Sequence, residues 1–260
     1  MARAAFLLVL SLVALCQHFS RRTAIEEHHR LTPRLIARQT PVLLRSSSFD
    51  AAPHFNWSSE YLARRFGAEE VSINLQDEDE ANARSVLLRE FVASLVAADR
   101  RPRRRTDGYR TLLLSERGGS DFVLSRPALV DALQPFATLL PRGYRRSLRM
   151  PIEDSYQFSL WLAPRGSVTG LHADLSTGTL LSHIEGRKRV WLYPPSQQPL
   201  LYADDWVEEN GEWVSPIDPR RPWLTQLWRY PRFALSRATV LELRPGDTIF
   251  VPCGWFHFVE

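Results

Sequence analysis

Two histidines and one aspartate carry the chemistry open to this chain. His172 and Asp174 flank a single residue, and His257 stands close to the last residue, Glu260. Two imidazoles and one carboxylate cover one face of a non-haem Fe(II) and leave its other positions open for substrate and oxygen. Residues two apart on a strand share a face, so His172 and Asp174 point together while Ala173 points away. By the same alternation His257 shares a face with Trp255 and Val259, with Phe256 and Phe258 opposite. Two neighbouring antiparallel strands then bring three ligand atoms within reach of one ion, at about 2.0–2.2 Å. Alone the pattern is weak, because an isolated histidine is more often a core residue, and zinc accepts the same ligands. Lysine usage strengthens it. The chain has 33 Lys and Arg, of which Lys188 is the single lysine.

The elements that must hold these residues show in the texture of the sequence. From Gln157 onward Phe158, Leu160 and Leu162 alternate with other residues, and Gly166 and Gly170 bracket a connection into a strand over 171–175. Further short strands are predicted over 179–184, 188–193, 239–243, 247–251 and 255–259. Such a series argues for a sandwich or jelly roll. Pro245-Gly246 predicts a turn that closes a hairpin. Residues 194–238 form a long excursion with Trp206, Trp213, Trp223 and Trp228, which line a substrate groove or cover core.

Upstream, 41–45 reads as a strand. Ser58 caps a helix over 59–66 that Gly67 ends. A strand follows over 71–75, then an amphipathic helix over 86–96 whose Leu87, Leu88, Phe91 and Leu95 form a core stripe. A further helix is predicted over 127–133, capped by Ser125. The basic run 100–105 reads as a solvated loop. Residues 1–16 have a positive start and an apolar stretch, the pattern of a secretory signal peptide, and are too short for a span of about 20 residues. A longer organelle-targeting leader would begin in the same way. Residues 17–40, with adjacent His28 and His29, read as a solvated linker. The expected division is 1–16 signal peptide, 17–40 linker, 41–155 N-terminal α/β part and 156–260 jelly-roll core.

Composition sets the outer bounds. The chain has 260 residues, 44% hydrophobic and 24% charged, with a net charge of +4, ordinary values for a globular domain. A charge this small gives no reason to expect a nucleic-acid partner. Cleavage after Cys16 would leave Cys253 alone and exclude an intrachain disulfide.

The stretch from Leu160 through Pro164-Arg165-Gly166 and Thr169-Gly170-Leu171 to His172-Ala173-Asp174 resembles the metal-binding strand of the JmjC proteins, specifically their cupin-like hydroxylase branch. Gly186-Arg187-Lys188-Arg189 with Pro194-Pro195, and the run from Leu243 through Pro245-Gly246-Asp247 to Trp255-Phe256-His257, resemble the same branch in the same order. The branch includes the factor-inhibiting-HIF asparaginyl hydroxylase. The resemblance spans residues 41–260 and implies a double-stranded β-helix with an N-terminal α/β extension. It implies Fe(II) and 2-oxoglutarate as cofactor and cosubstrate, O2 as oxidant, and a protein or peptide side chain as substrate. Carried over residue by residue, His172, Asp174 and His257 would hold the metal. Lys188, helped by Thr169, would pair with the distal carboxylate of 2-oxoglutarate, since a charge-assisted bond is strong once water is excluded.

Three features depart from the family. Ser176-Thr177-Gly178-Thr179 replaces a stretch that usually carries an asparagine, with Thr179 as its counterpart. The tyrosine that often assists 2-oxoglutarate has only Tyr109 as a nearby equivalent. The family places another barrel strand after the distal histidine, so the final strand is expected to be missing and a sheet edge left open beside the metal. Two other readings stand beside the oxygenase. One is a non-catalytic jelly-roll binding or scaffold protein that keeps the triad; the other is a cupin-type metalloprotein that does not use 2-oxoglutarate.

Overall fold

The computed structural model describes residues 25–29, 31–45, 57–75, 84–99, 110–114, 160–174, 178–207 and 212–260. The helix expected over 127–133, the basic run 100–105, Tyr109 and residues 1–16 lie outside them.

The jelly roll is built from β1 (Glu26–His28), β2 (Val42–Leu44), β7 (Thr169–Asp174), β8 (Thr179–Ser182), β9 (Lys188–Tyr193), β10 (Asp205–Val207), β11 (Glu212–Val214), β12 (Thr239–Leu243), β13 (Thr248–Val251) and β14 (Phe256–Val259). One sheet has the order β10-β11-β7-β14-β9-β12 and the facing one β1-β2-β13-β8. Between them lie Leu43, Val190, Leu192, Leu241, Leu243, Ile249, Val251 and Val259, all buried. The opposite side of the larger sheet is apolar as well. Leu171, Ala173, Trp191, Tyr193, Phe256 and Phe258 pack there against Leu201, Ile217 and Phe233 of the 194–238 excursion. Burial on both faces explains why β9 and β14 read as nearly continuous hydrophobic runs.

The N-terminal part adds a sheet of β3 (Glu70–Leu75), β4 (Arg84–Leu87), β5 (Arg110–Leu114) and β6 (Leu160–Leu162), ordered β4-β3-β5-β6. Helices α2 (Ser59–Phe66) and α3 (Leu88–Asp99) pack on each other through Leu62, Phe66, Leu88, Phe91 and Val92. The Ser58 hydroxyl caps α2 by accepting from the Tyr61 N–H at 3.1 Å, as its sequence predicts. Helix α3 starts at Leu88 rather than residue 86, because Val86 continues strand β4 and pairs with Val71.

Two expectations are corrected. Residues 26–37 are not a solvated linker. Strand β1 pairs in parallel with β2, and helix α1 (Pro33–Ala37) buries Leu35 and Ile36, with Leu31, against Val42, Leu44 and Phe250. Thr32 caps α1 and Pro33 opens it, signals outweighed in the sequence by the polar residues around them. Nor does Pro245-Gly246 close a hairpin. The turn forms, with Gly246 at φ 92° and the Asp247 N–H donating to the Arg244 carbonyl at 2.9 Å. Yet β12 pairs with β9 while β13 pairs with β2 and β8, so the turn carries the chain from one sheet to the other.

Candidate metal centre

Strand pairing brings the two halves of the triad together. His257 on β14 stands directly opposite His172 on β7. Their ring centroids are 4.1 Å apart. His172 Nε2 lies 3.7 Å from Asp174 Oδ1, and His257 Nε2 lies 3.8 Å from Asp174 Oδ2. One ligand atom from each of the three residues lies within 4.8 Å of the other two, a spacing that suits one shared ion.

Both imidazoles are held in the same way. His172 Nδ1 lies 2.7 Å from the Gly170 carbonyl, and His257 Nδ1 lies 3.2 Å from the Trp255 carbonyl. Each carbonyl accepts the Nδ1 proton, which leaves the Nε2 lone pair facing Asp174, the tautomer that binds a metal. Burial, followed by the neighbouring His172, pushes the His257 pKa down to about 4. The ring is therefore neutral at physiological pH, as a ligand must be.

Two residues that sequence reading did not place as ligand partners complete the surroundings. Thr179 Oγ1 donates to Asp174 Oδ2 at 3.1 Å, so it orients the carboxylate of a candidate ligand. Gly178 makes this possible. Its φ is 128°, and an added Cβ would come within 2.8 Å of the Phe250 ring. Glu212, paired with Asp174 across β11 and β7, brings a second carboxylate to 3.9 Å from His172 Nε2. Only its register, two residues before Val214 and opposite Asp174, places it there; the sequence carries no local sign of it. Replacing Thr179 with valine is expected to weaken divalent-metal affinity about 10-fold or more, the usual cost of losing such an orienting bond. Competition with a fluorescent chelator measures it.

The two cofactor candidates also face the interior. Lys188 shares its face of β9 with Val190 and Leu192. Thr169 is an odd number of residues from His172 and would turn outward in a regular strand. A register shift between β14 and β7 prevents that. Val259 pairs with Thr169 while His257 pairs with His172, and the extra β7 residue brings Thr169 to the side of His172 and Val259. Trp206 and Trp213 do not line this face. Trp213 pairs with Ala173 on the outer side of the sheet, and Trp206 packs against it with tilted rings 5.2 Å apart. Trp228 is fully in solvent, 98% exposed. Strand β14 is paired on both sides, by β7 and β9, so the open edge near the site among the described residues is β8.

A jelly roll with two histidines and an aspartate converging on one face of its larger sheet has the layout of a cupin-type metal site. The chain belongs to the cupin-like domain family, whose pattern matches residues 29–260. Over 110 residues it is 34% identical to HSPB1-associated protein 1 of Bos taurus, covering 42% of this chain and 22% of that protein. It is 34% identical over 108 residues to the 2-oxoglutarate and iron-dependent oxygenase JMJD4 of Gallus gallus, covering 41% and 24%. It is 27% identical over 121 residues to the bifunctional peptidase and (3S)-lysyl hydroxylase JMJD7 of Homo sapiens, covering 39% and 37%. The chain thus spans a quarter or less of the first two relatives and little more than a third of the third. Among the described residues no helix is long and apolar enough to cross a membrane.

Proposed function

We propose that this chain is an Fe(II)- and 2-oxoglutarate-dependent oxygenase that hydroxylates a side chain of a protein or peptide. The observation that carries the reading is the convergence of His172, Asp174 and His257, with both Nε2 lone pairs turned toward the carboxylate. The names of the relatives support it, since one denotes a 2-oxoglutarate and iron-dependent oxygenase and another a (3S)-lysyl hydroxylase. His172, Asp174 and His257 would hold iron on one face, and bound iron with 2-oxoglutarate and O2 supplies the oxidising power. The protein supplies placement and a dry interior.

Strand register supports that reading. His172, His257 and Leu192 form one row across the sheet, Thr169, Val259 and Val190 the next, and Lys188 with Leu243 the one beyond. Lys188 lies four residues from Leu192, about 13 Å along the strand. A lysine stem reaching back and a five-carbon diacid reaching forward span that gap, with the Thr169 hydroxyl between them. Burial lowers the Lys188 pKa, and no carboxylate pairs with it among the described residues. An entering carboxylate would relieve that cost.

The test is 2-oxoglutarate binding and succinate release with Fe(II) and ascorbate, for wild type and Lys188→Ala. The expected result is at least about a tenfold rise in Kd and KM for 2-oxoglutarate, the scale of a lost charge-assisted bond. A scaffold protein, or a metalloprotein of other chemistry, would be indifferent to the substitution, and that outcome removes the cosubstrate assignment.

A further inference from the structure

Thr169 apart, the interior is apolar between the metal ligands and its deep end, where the facing sheet brings a further polar side chain. Strand β8 runs inward from Thr179, beside Asp174, through Leu181 opposite Ile249, toward His183. His183 carries on this interior alternation. Its N–H donates to the Asp247 carbonyl at 2.9 Å, and its own carbonyl accepts from the Gly246 N–H at 2.8 Å. It stands four residues deeper than Thr179, just as Lys188 stands four residues deeper than Leu192. Both face the same interior from opposite sheets, and the Lys188 charge is near enough to act on the His183 ring.

His183 is buried, 4% exposed, and its Nε2 has no hydrogen-bond partner in the structure. The Gly186 backbone raises the His183 pKa, as a carbonyl facing a ring N–H does, which favours the tautomer with the proton on Nδ1 and the lone pair on the partnerless Nε2. Burial first, and the charge of nearby Lys188 after it, lower the His183 pKa; nearby Asp247 acts in the opposite direction. Asp247 Oδ2 is committed elsewhere, to Arg45 at 2.7 Å and to the Arg244 N–H at 3.0 Å. Arg45 in turn holds Glu27 at 2.7 Å. A buried acceptor without a donor thus stands close to a desolvated ammonium with three donors, and polar groups in that state are rare in a folded core.

We propose that His183 is a positioning residue for Lys188: its Nε2 accepts one N–H of the ammonium and aims the others at the distal carboxylate of 2-oxoglutarate. The inference rests on the proposed cosubstrate. It assigns a role in that seat to a residue that makes no contact with the metal ligands. A neutral acceptor on the far side of the ammonium leaves its positive charge undiminished for the diacid. It also removes the rotational freedom that a lone lysine stem would keep.

Because Lys188 is the single lysine of the chain, isotope-labelled lysine gives one side-chain signal that reports on this seat directly. In the Zn(II)-loaded full chain, that signal is expected to shift as 2-oxoglutarate is added and to show contact with the His183 ring protons. His183→Leu should weaken 2-oxoglutarate binding about tenfold, while His183→Gln, whose Oε1 accepts the same hydrogen, should stay within about threefold of wild type. In turnover the loss should appear in KM for 2-oxoglutarate and leave kcat nearly unchanged. If the Lys188 signal responds to 2-oxoglutarate but His183→Leu binds as tightly as wild type, the role of His183 is overturned and the cosubstrate reading survives. If His183→Leu does not fold, the wild-type spectrum decides, and the absence of any contact between Lys188 and the His183 ring overturns the inference. A wild-type signal that ignores 2-oxoglutarate overturns both.

Discussion

Replacing His172 with alanine is expected to abolish succinate release from 2-oxoglutarate while leaving the chain folded. Loss of an orienting partner outside the ligand set already costs about 10–100-fold in metal affinity or activity. Loss of a ligand itself should exceed 100-fold. The structural cost is small by comparison. His172 gives up one hydrogen bond to the Gly170 carbonyl and its contact with the His257 ring, about 1 kcal/mol for the bond. The neighbouring Leu171 and Ala173, which pack on the other face of β7, are untouched. A second signature follows from the coupling of the two rings. His172 helps to hold the His257 pKa down, so His172→Ala should raise it, and histidine proton resonances will show this. Equal succinate release by the variant and wild type would remove the claim of catalysis at this centre.

Much of this centre can be read from alternation alone. His172 and Asp174 share a face because they are two apart, and Phe256 and Phe258 face away from His257 for the same reason. The predicted bounds of β9 and β12 match the structure, since Lys188–Tyr193 and Thr239–Leu243 are β-branched and aromatic runs ended by proline or a turn. What escaped depends on pairing between distant segments. The register shift that turns Thr169 inward is a relation between β7 and β14, invisible in either strand by itself. Glu212 reaches the site through its register with Asp174, and His183 through the order of the smaller sheet. The Arg244–Asp247 turn shows the same limit. Its local chemistry was legible, but which sheet each flanking strand joins is a property of the whole fold. Residues 26–37 were misread because short apolar groups such as Leu35 and Ile36 carry little periodic signal between charged neighbours. Only the cover they give to Val42, Leu44 and Phe250 reveals them as core.

Acid should unfold the metal-free chain through His257. Its pKa is about 4 in the folded state against an ordinary 6.5, so between these values the unfolded chain binds the proton and the folded one does not. More protons on the unfolded side mean that stability rises with pH across this window. The contribution is therefore fully present above about pH 6.5 and is lost as the pH falls toward 4. At about 1.36 kcal/mol per pKa unit, it amounts to about 3 kcal/mol. His183, whose pKa is also lowered by burial, adds to the effect with the same sign. A divalent ion held by His172, Asp174 and His257 would stabilise the folded state by a further ~2.7 kcal/mol at a free concentration 100 times its Kd. Acid must then displace the ion as well. Urea denaturation from pH 7.5 to 4.5, with chelator and with excess metal, measures both terms. The metal increment should shrink toward the acid end, because ligands must be deprotonated to bind. His257→Gln should flatten the pH dependence in chelator and remove the metal increment at every pH. Retention of the full slope by that variant would mean that the acid-sensitive group lies elsewhere.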